Sequence, residues 1–125
     1  MSFKSQNGVD RGQQAEQRAE AYLQTQGLSP RARNYRCKAG EIDLVMMQDQ
    51  TLVFVEVRLR SNRRFAGAAE TVDWRKQQKL IRAAQHYLQR HGLTDKVACR
   101  FDVLAIDANA PDQPLTWLRD AFGTA

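Results

Sequence analysis

The chain has 125 residues, of which 42% are hydrophobic and 26% charged, and a net charge of +5. That composition excludes a disordered chain and suits one domain with its own core, and no apolar run is long enough to cross a bilayer. The N-terminal stretch "MSFKSQNGVDRGQQ" lacks the apolar centre of a signal peptide, and Cys37 and Cys99 have no metal-type spacing, so a reduced cytoplasmic protein is expected.

Residues 1–11 are polar and read as a loose tail, leaving 12–125 as a single domain. From Gly12 the chain places Ala15, Ala19, Tyr22 and Leu23 at helical spacing, with Gly27 as a stop. At about 100° per residue Glu16 borders the buried face of this helix, whereas Glu20 points further toward solvent. A short basic strand follows in "RARNYRC", then a break at Ala39–Gly40. Next come two apolar strands, "GEIDLVMM" and "LVFVEVRLR", joined by the turn "QDQT". The stretch "SNRRFAGAAE" reads as a mobile loop near a ligand. A second helix is predicted from an N-cap at Thr71 to His91, with Gly92 as its stop and Leu80, Ala84, Tyr87, Leu88 and His91 as its apolar stripe. The strand "VACRFDVLAID", the turn "ANAPDQP" and a short strand "LTWL" complete an α-β-β-β-α-β-β order, an α/β layer fold.

The surplus charge is not spread evenly. Residues 58–82 hold Arg58, Arg60, Arg63, Arg64, Arg75, Lys76, Lys79 and Arg82 against Glu70 and Asp73, a local +6, while the segments on either side are near neutral. Such a patch attracts a polyanion, most often a phosphate backbone; a solvated arginine-rich surface has the same composition.

The hairpin carries the most specific signal. Alternation puts Glu41, Asp43, Val45 and Met47 on one face of its first strand, with Ile42, Leu44 and Met46 on the other. In its second strand Leu52, Phe54, Glu56, Arg58 and Arg60 share a face. With "QDQT" as the loop, Met47 pairs with Leu52, which sets Asp43 opposite Glu56 and Glu41 opposite Arg58. Two carboxylates so placed in an apolar strand pair repel. Either one takes up a proton or a divalent cation sits between them, and Mg²⁺ or Mn²⁺ suits such an oxygen-rich site. In the competing arrangement Glu41 pairs with Arg58 and nothing is bound.

The segments "GQQAEQRAEAYL", "RNYRCKAGEIDL", "LVFVEVRLR", "VDWRKQQKLIRAAQHYL", "RFDVLAI" and "DAF" resemble, in this order, the YraN-like family of bacterial proteins. That family is in turn similar to Holliday-junction resolvases and the PD-(D/E)XK nuclease superfamily. The resemblance spans about Gly12 to Phe122 and implies a restriction-endonuclease-like core, a central mixed sheet flanked by helices. It implies that Asp43 and Glu56 are metal ligands, that the Val57 carbonyl is a further ligand, and that Glu16 approaches the metal from the first helix. It also implies a polar group from the second helix, at Lys76 or Gln77, directed toward the site.

The lysine expected two residues after the second acid is here Arg58. Arginine keeps the charge and grips phosphate, but it does not deprotonate and so cannot act as a general base. Lys38, just before the metal strand, is another cation near the site. The activity expected is a Mg²⁺- or Mn²⁺-dependent endonuclease on branched or structured DNA, with Asp43, Glu56, Arg58 and Glu16 at the catalytic centre. Arg60, Arg63, Arg64, Arg75, Lys76 and Lys79 would hold the DNA backbone. A non-catalytic DNA-binding module and an adaptor for a protein partner are the alternatives, and a homodimer is expected by analogy with resolvases. His86 and His91 have the wrong spacing to share a metal, and Asp102 is expected to pair with Arg100. Trp74 and Trp117 are of the type that stacks on bases, but core or edge packing is expected of both.

Overall fold

The computed structural model describes residues 8–60, 72–110 and 112–123, with side chains from 11 onward. Its elements are α1 (Gly8–Thr25), β1 (Ser29–Cys37), β2 (Gly40–Gln48), β3 (Thr51–Arg60), α2 (Trp74–Arg90), β4 (Ala98–Asp107) and β5 (Leu115–Phe122). The order α-β-β-β-α-β-β is the one read from the sequence. The five strands form one sheet in the order β1-β2-β3-β4-β5. Only the β3–β4 pair is parallel, so the sheet is mixed. That pair requires a crossover, and the chain between its strands contains α2.

Both faces of the sheet are covered, which explains the nearly continuous apolar runs of β3 and β4. On one face α2 packs Leu80, Ile81, Ala84 and Tyr87 over Val45, Leu52, Phe54, Phe101 and Val103. On the other, α1 packs Ala15, Ala19 and Leu23 over Leu44, Met46, Val53, Val55, Leu104 and Ile106. Phe54 stacks on Phe101 at 5.5 Å between ring centroids and meets Tyr87 edge-on at 5.9 Å.

Several boundaries differ from the sequence reading for local reasons. Helix α1 begins at Gly8, inside the stretch read as tail, because nothing in "GVDRGQQ" terminates a helix that the buried alanines already hold. The N-cap of α2 is Asp73, whose carboxylate accepts the Lys76 N–H at 2.8 Å; the predicted cap Thr71 lies outside the described residues. Both helices end as predicted, at Gly27 (φ 96°) and Gly92 (φ 67°). Each glycine closes the same motif, with Leu28 N–H donating to Leu23 O and Leu93 N–H to Leu88 O. The hairpin turn is shorter than "QDQT": Gln48 pairs with Thr51, leaving only Asp49 and Gln50 in the turn. Strand β5 extends to Phe122, past the predicted "LTWL", after an irregularity between Phe101 and Val103 in its pairing.

Glu20 is buried at 6% exposure, contrary to the expectation from α1 alone. Strand β1 runs along that flank, and Arg33 Nε donates to both Glu20 oxygens at 2.9 and 3.0 Å. Asp102 is held still more fully. Its side chain is inaccessible and accepts bonds from Arg100 Nε at 3.0 Å, Trp117 Nε1 at 2.9 Å and the Asp120 N–H at 2.9 Å. The expected Arg100 pair is therefore present, and it also ties β4 to the bent end of β5. Asp102→Ala would leave Arg100 and the Trp117 indole without their acceptor inside the sheet. A loss of about 3–5 kcal/mol is expected, read as a lowered urea midpoint at unchanged slope.

Candidate functional site at the β2–β3 fork

The predicted register holds over the apolar part of the hairpin, where Met47 faces Leu52, Val45 faces Phe54 and Leu44 faces Val55. The ladder stops there. One residue further Asp43 faces no partner in the ladder, and its carboxylate oxygen Oδ2 accepts the backbone N–H of Val57 at 2.8 Å. The two strands thus fork where the acids begin, and a side chain replaces the backbone bond that would have continued the sheet.

The reason lies in a break of alternation. Leu44 and Met46 pack under α1, but Ile42 packs under α2, so residues two apart lie on opposite faces. The expected shared face of Ile42, Leu44 and Met46 is corrected on this point. Asp43 sits at the change of face. In β1, Asn34 takes φ 50° and interrupts the alternation there too, with Ala32 and Tyr35 both against the α2 cluster. Asparagine tolerates this left-handed backbone better than most residues.

Three acids approach the fork. Glu56, one residue past the end of the β2–β3 ladder, is buried at 4% exposure and hydrogen-bonds Asp43. Glu16 stands on α1, half-buried as its helical position implied, and accepts from Asn34 Nδ2 at 2.9 Å. Burial above all, then the charge of Glu56 and more weakly that of Glu16, push the Asp43 carboxyl up to about 8, although the Val57 N–H bond opposes this. Burial thus favours the proton-bound form of Asp43, one of the two remedies open to the paired acids. Among the described residues, no three Asp, Glu, His or Cys side chains converge as a metal cluster. Glu56 lies on the α2 side and Glu16 on the α1 side, where it lines a shallow cavity with Glu20, Arg33 and Asn34.

Glu41 does not pair with Arg58, as the extended register would require. Once the strands fork it turns to β1, 3.5 Å from Arg36 Nε and 3.2 Å from Asn34 Nδ2. Asn34, which sequence reasoning missed, therefore clamps Glu16 and Glu41 together. Its only signal was a short polar residue in the middle of a strand.

The cations divide into two sets. Arg58 Nη1 lies 3.4 Å from Glu56 Oε2, and Lys76 Nζ reaches the same oxygen from α2 at 3.5 Å. Lys76 thus stands beside Glu56, as the polar group the resemblance implied from the second helix. Gln77 instead donates to Val72 O at 3.0 Å and secures the start of α2. Further along β3, Arg60 has Nε and Nη1 buried with no hydrogen-bond partner among the described residues. Arg75 and Lys79 are exposed on α2, Lys79 beside Gly40, and Lys38 lines a groove with Arg82, Gln85 and His86. Arg63 and Arg64, with the whole loop "SNRRFAGAAE", lie outside the described residues.

Three of the remaining candidates, His86, His91 and Trp117, have structural partners. His86 Nδ1 shares a hydrogen bond with the Tyr35 hydroxyl, and His91 caps α2 with its ring 4.2 Å from that of Tyr87. Trp117 packs edge-on to Tyr22, but Trp74 is 72% exposed and packs in no core. That corrects the expectation for Trp74. No helix among the described residues is long and apolar enough to cross a membrane.

The fold and the fork define a class first: an α/β protein with a five-stranded mixed sheet flanked by two helices and a paired-carboxylate site where two strands part. Residues 15–106 match the family model described as "Uncharacterised protein family UPF0102", and the chain belongs to this family, the YraN family its motifs resemble. Curated relatives named UPF0102 protein agree over most of their length. The chain is 50% identical over 113 residues to one from Aeromonas hydrophila, covering 90% of this chain and 84% of that protein. It is 51% identical over 111 residues to one from Stutzerimonas stutzeri, covering 89% and 92%. For one from Methylobacillus flagellatus the figures are 52% over 111 residues, 89% and 95%.

The raised Asp43 pKa has a consequence for stability. The folded protein holds a proton that the unfolded chain releases near the ordinary carboxylate value, so this contribution is full below about pH 4 and is lost as pH rises through about 8. Asp43→Asn can accept the Val57 N–H and donate to Glu56 at every pH. Thermal unfolding is therefore expected to show the variant gaining on the native chain as pH rises from about 5 to 8, by at least about 1 kcal/mol at the upper end.

Proposed function

We propose that the chain is a divalent-cation-dependent nuclease of PD-(D/E)XK type, cutting phosphodiester bonds in branched or otherwise structured DNA in the cytoplasm. The observation that carries this reading is the Asp43–Glu56 pair at the fork of two strands, with two cations, Arg58 and Lys76, set on one of its carboxylates. The donor set fits Mg²⁺ or Mn²⁺. Two carboxylates and a carbonyl leave room for waters and phosphate oxygens. The Val57 carbonyl faces the same gap, because N–H and C=O of one residue in an extended strand point to one side and the N–H already meets Asp43. Glu16 would act from the other face, through Asn34 or a water.

A cation held by Asp43, Glu56 and the Val57 carbonyl would supply Lewis acidity toward a water and a phosphoryl oxygen. The protein's own groups do the rest. The water oxygen attacks phosphorus as the P–O bond to the leaving oxygen breaks; the water's proton passes to solvent, and the leaving oxygen takes one from solvent. Arg58 holds a non-bridging oxygen and its growing charge but cannot take the proton. Lys76, an ammonium on the same carboxylate, orients the nucleophile by donating a hydrogen bond to it. Arg60, with two buried unpartnered guanidinium nitrogens, suits a phosphate further along the strand. Arg75 and Lys79 suit the flanking backbone, and two copies could engage the arms of a junction.

A second reading, a DNA-binding module without turnover, draws on Arg58 at the lysine position and on the separation of Glu16 from Glu56 across the sheet. Incubation with Mn²⁺ and branched, nicked or single-stranded DNA separates the two. Cleavage is expected, falling at least about 100-fold in Asp43→Ala and Glu56→Gln and about tenfold or more in Arg58→Met and Lys76→Met. No cleavage of any substrate, with salt-sensitive binding that survives Asp43→Ala, would establish the second reading instead. Cation binding must also displace the Asp43 proton, so Mn²⁺ should raise the melting temperature more at about pH 8 than at about pH 6. Asp43→Asn should abolish that rise.

A further inference from the structure

We infer that Trp74 is a stacking platform for an unpaired nucleobase, and that the DNA bound beside the acid pair therefore contains single-stranded nucleotides. The inference rests on the proposed nuclease reading for its location and names the kind of DNA the site takes.

Trp74 is the first residue of α2 and is 72% exposed, while the other large apolar side chains of the helix are buried or partly buried. Exposing most of an indole leaves apolar surface in water that neither core cluster of the described residues uses. Trp117 is the contrasting case: its indole N–H is bonded to Asp102 and its ring meets Tyr22.

The setting of Trp74 selects the ligand. The capping bond from Lys76 N–H to Asp73 fixes the first turn, in which Trp74, Arg75 and Lys76 follow at about 100° steps. Lys76 faces Glu56 at 3.5 Å, Arg75 is exposed, and Trp74 lies on the far flank of the same turn. From helix geometry and the reach of a lysine, the Trp74 Cα lies within about 15 Å of the Glu56 carboxylate, a span of a few nucleotides. A strand leaving the acids thus meets Lys76 and then Arg75 with its phosphates, and an indole with the next accessible base. An indole beside exposed cations fits a base whose face is free and whose backbone is anionic. Bases in an intact duplex are stacked on each other and present only their edges, so the platform has no use on uninterrupted double helix.

The test reads binding in EDTA, without cleavage, so that it is independent of turnover. Oligothymidylate and a blunt duplex of equal length are titrated at low salt, following tryptophan fluorescence and the anisotropy of a labelled strand. Single strand is expected to quench fluorescence, and Trp74→Phe should remove most of that quench while keeping affinity within a few-fold. Trp74→Ala should weaken single-strand binding by about ten- to a hundredfold and leave duplex binding unchanged. Equal quenching by duplex, or single-strand affinity indifferent to Trp74→Ala, would overturn the inference. So would a shift from dimer to monomer in Trp74→Ala, which would make the indole a protein contact. None of these results would by itself remove the nuclease reading, which stands or falls on cleavage and on Asp43.

Discussion

The hydrogen bond from the Val57 N–H to the Asp43 carboxylate is the contact on which the site depends. A β-ladder left to itself would continue past Leu44 and Val55, and the charged residues would then lie in opposed pairs across it. Here one side chain takes the place of a backbone acceptor, and the strands part without leaving the Val57 amide unsatisfied. The parting sets a buried carboxylate pair at the end of a well-packed ladder, where burial and mutual repulsion push the Asp43 carboxyl up. An unbroken ladder would continue past Leu44 and Val55, and a loop would not hold two acids in fixed relation.

The rest of the architecture steadies that fork. Helix α2 seals one face of β3 with a core of aromatic and aliphatic side chains, and its capped first turn brings Lys76 down to Glu56. Helix α1 seals the other face and sends Glu16 toward Asp43, with Asn34 between Glu16 and Glu41. The far end of the sheet is fixed separately, by the fully buried Asp102 and its three partners. Rigid packing at both ends leaves the acids to be positioned by strands rather than by loops. That is the condition for a group to act reproducibly on a ligand.

The cations show how little a charge count says about roles. The surplus in residues 58–82 suggested a uniform polyanion-binding patch, but the described part of it divides by direction. Arg58 and Lys76 neutralise an acid inside the protein, and Arg60 is partly enclosed. Only Arg75, Lys79 and Arg82 stand out toward solvent. A lysine from a helix also stands beside Arg58, both within about 3.5 Å of one Glu56 oxygen.

The sequence by itself determined the element order, the α/β layering, the hairpin register through Met47 and Leu52, and the nearness of Asp43 to Glu56. Those follow from periodicity and from a short turn, both of which act over a few residues and leave a pattern in the chain. Glu16 at the edge of a helix face and the Arg100–Asp102 pair were legible for the same reason. Only the tertiary structure decided where the ladder stops, because that depends on which face Ile42 finds when two helices pack on one sheet. It turned Glu41 to Arg36 and Asn34, buried Glu20 under Arg33, and set Lys76 against Glu56. It also left Trp74 exposed. Each of these is a contact between elements distant in sequence, and alternation within one strand or helix carries no information about what will be packed against it.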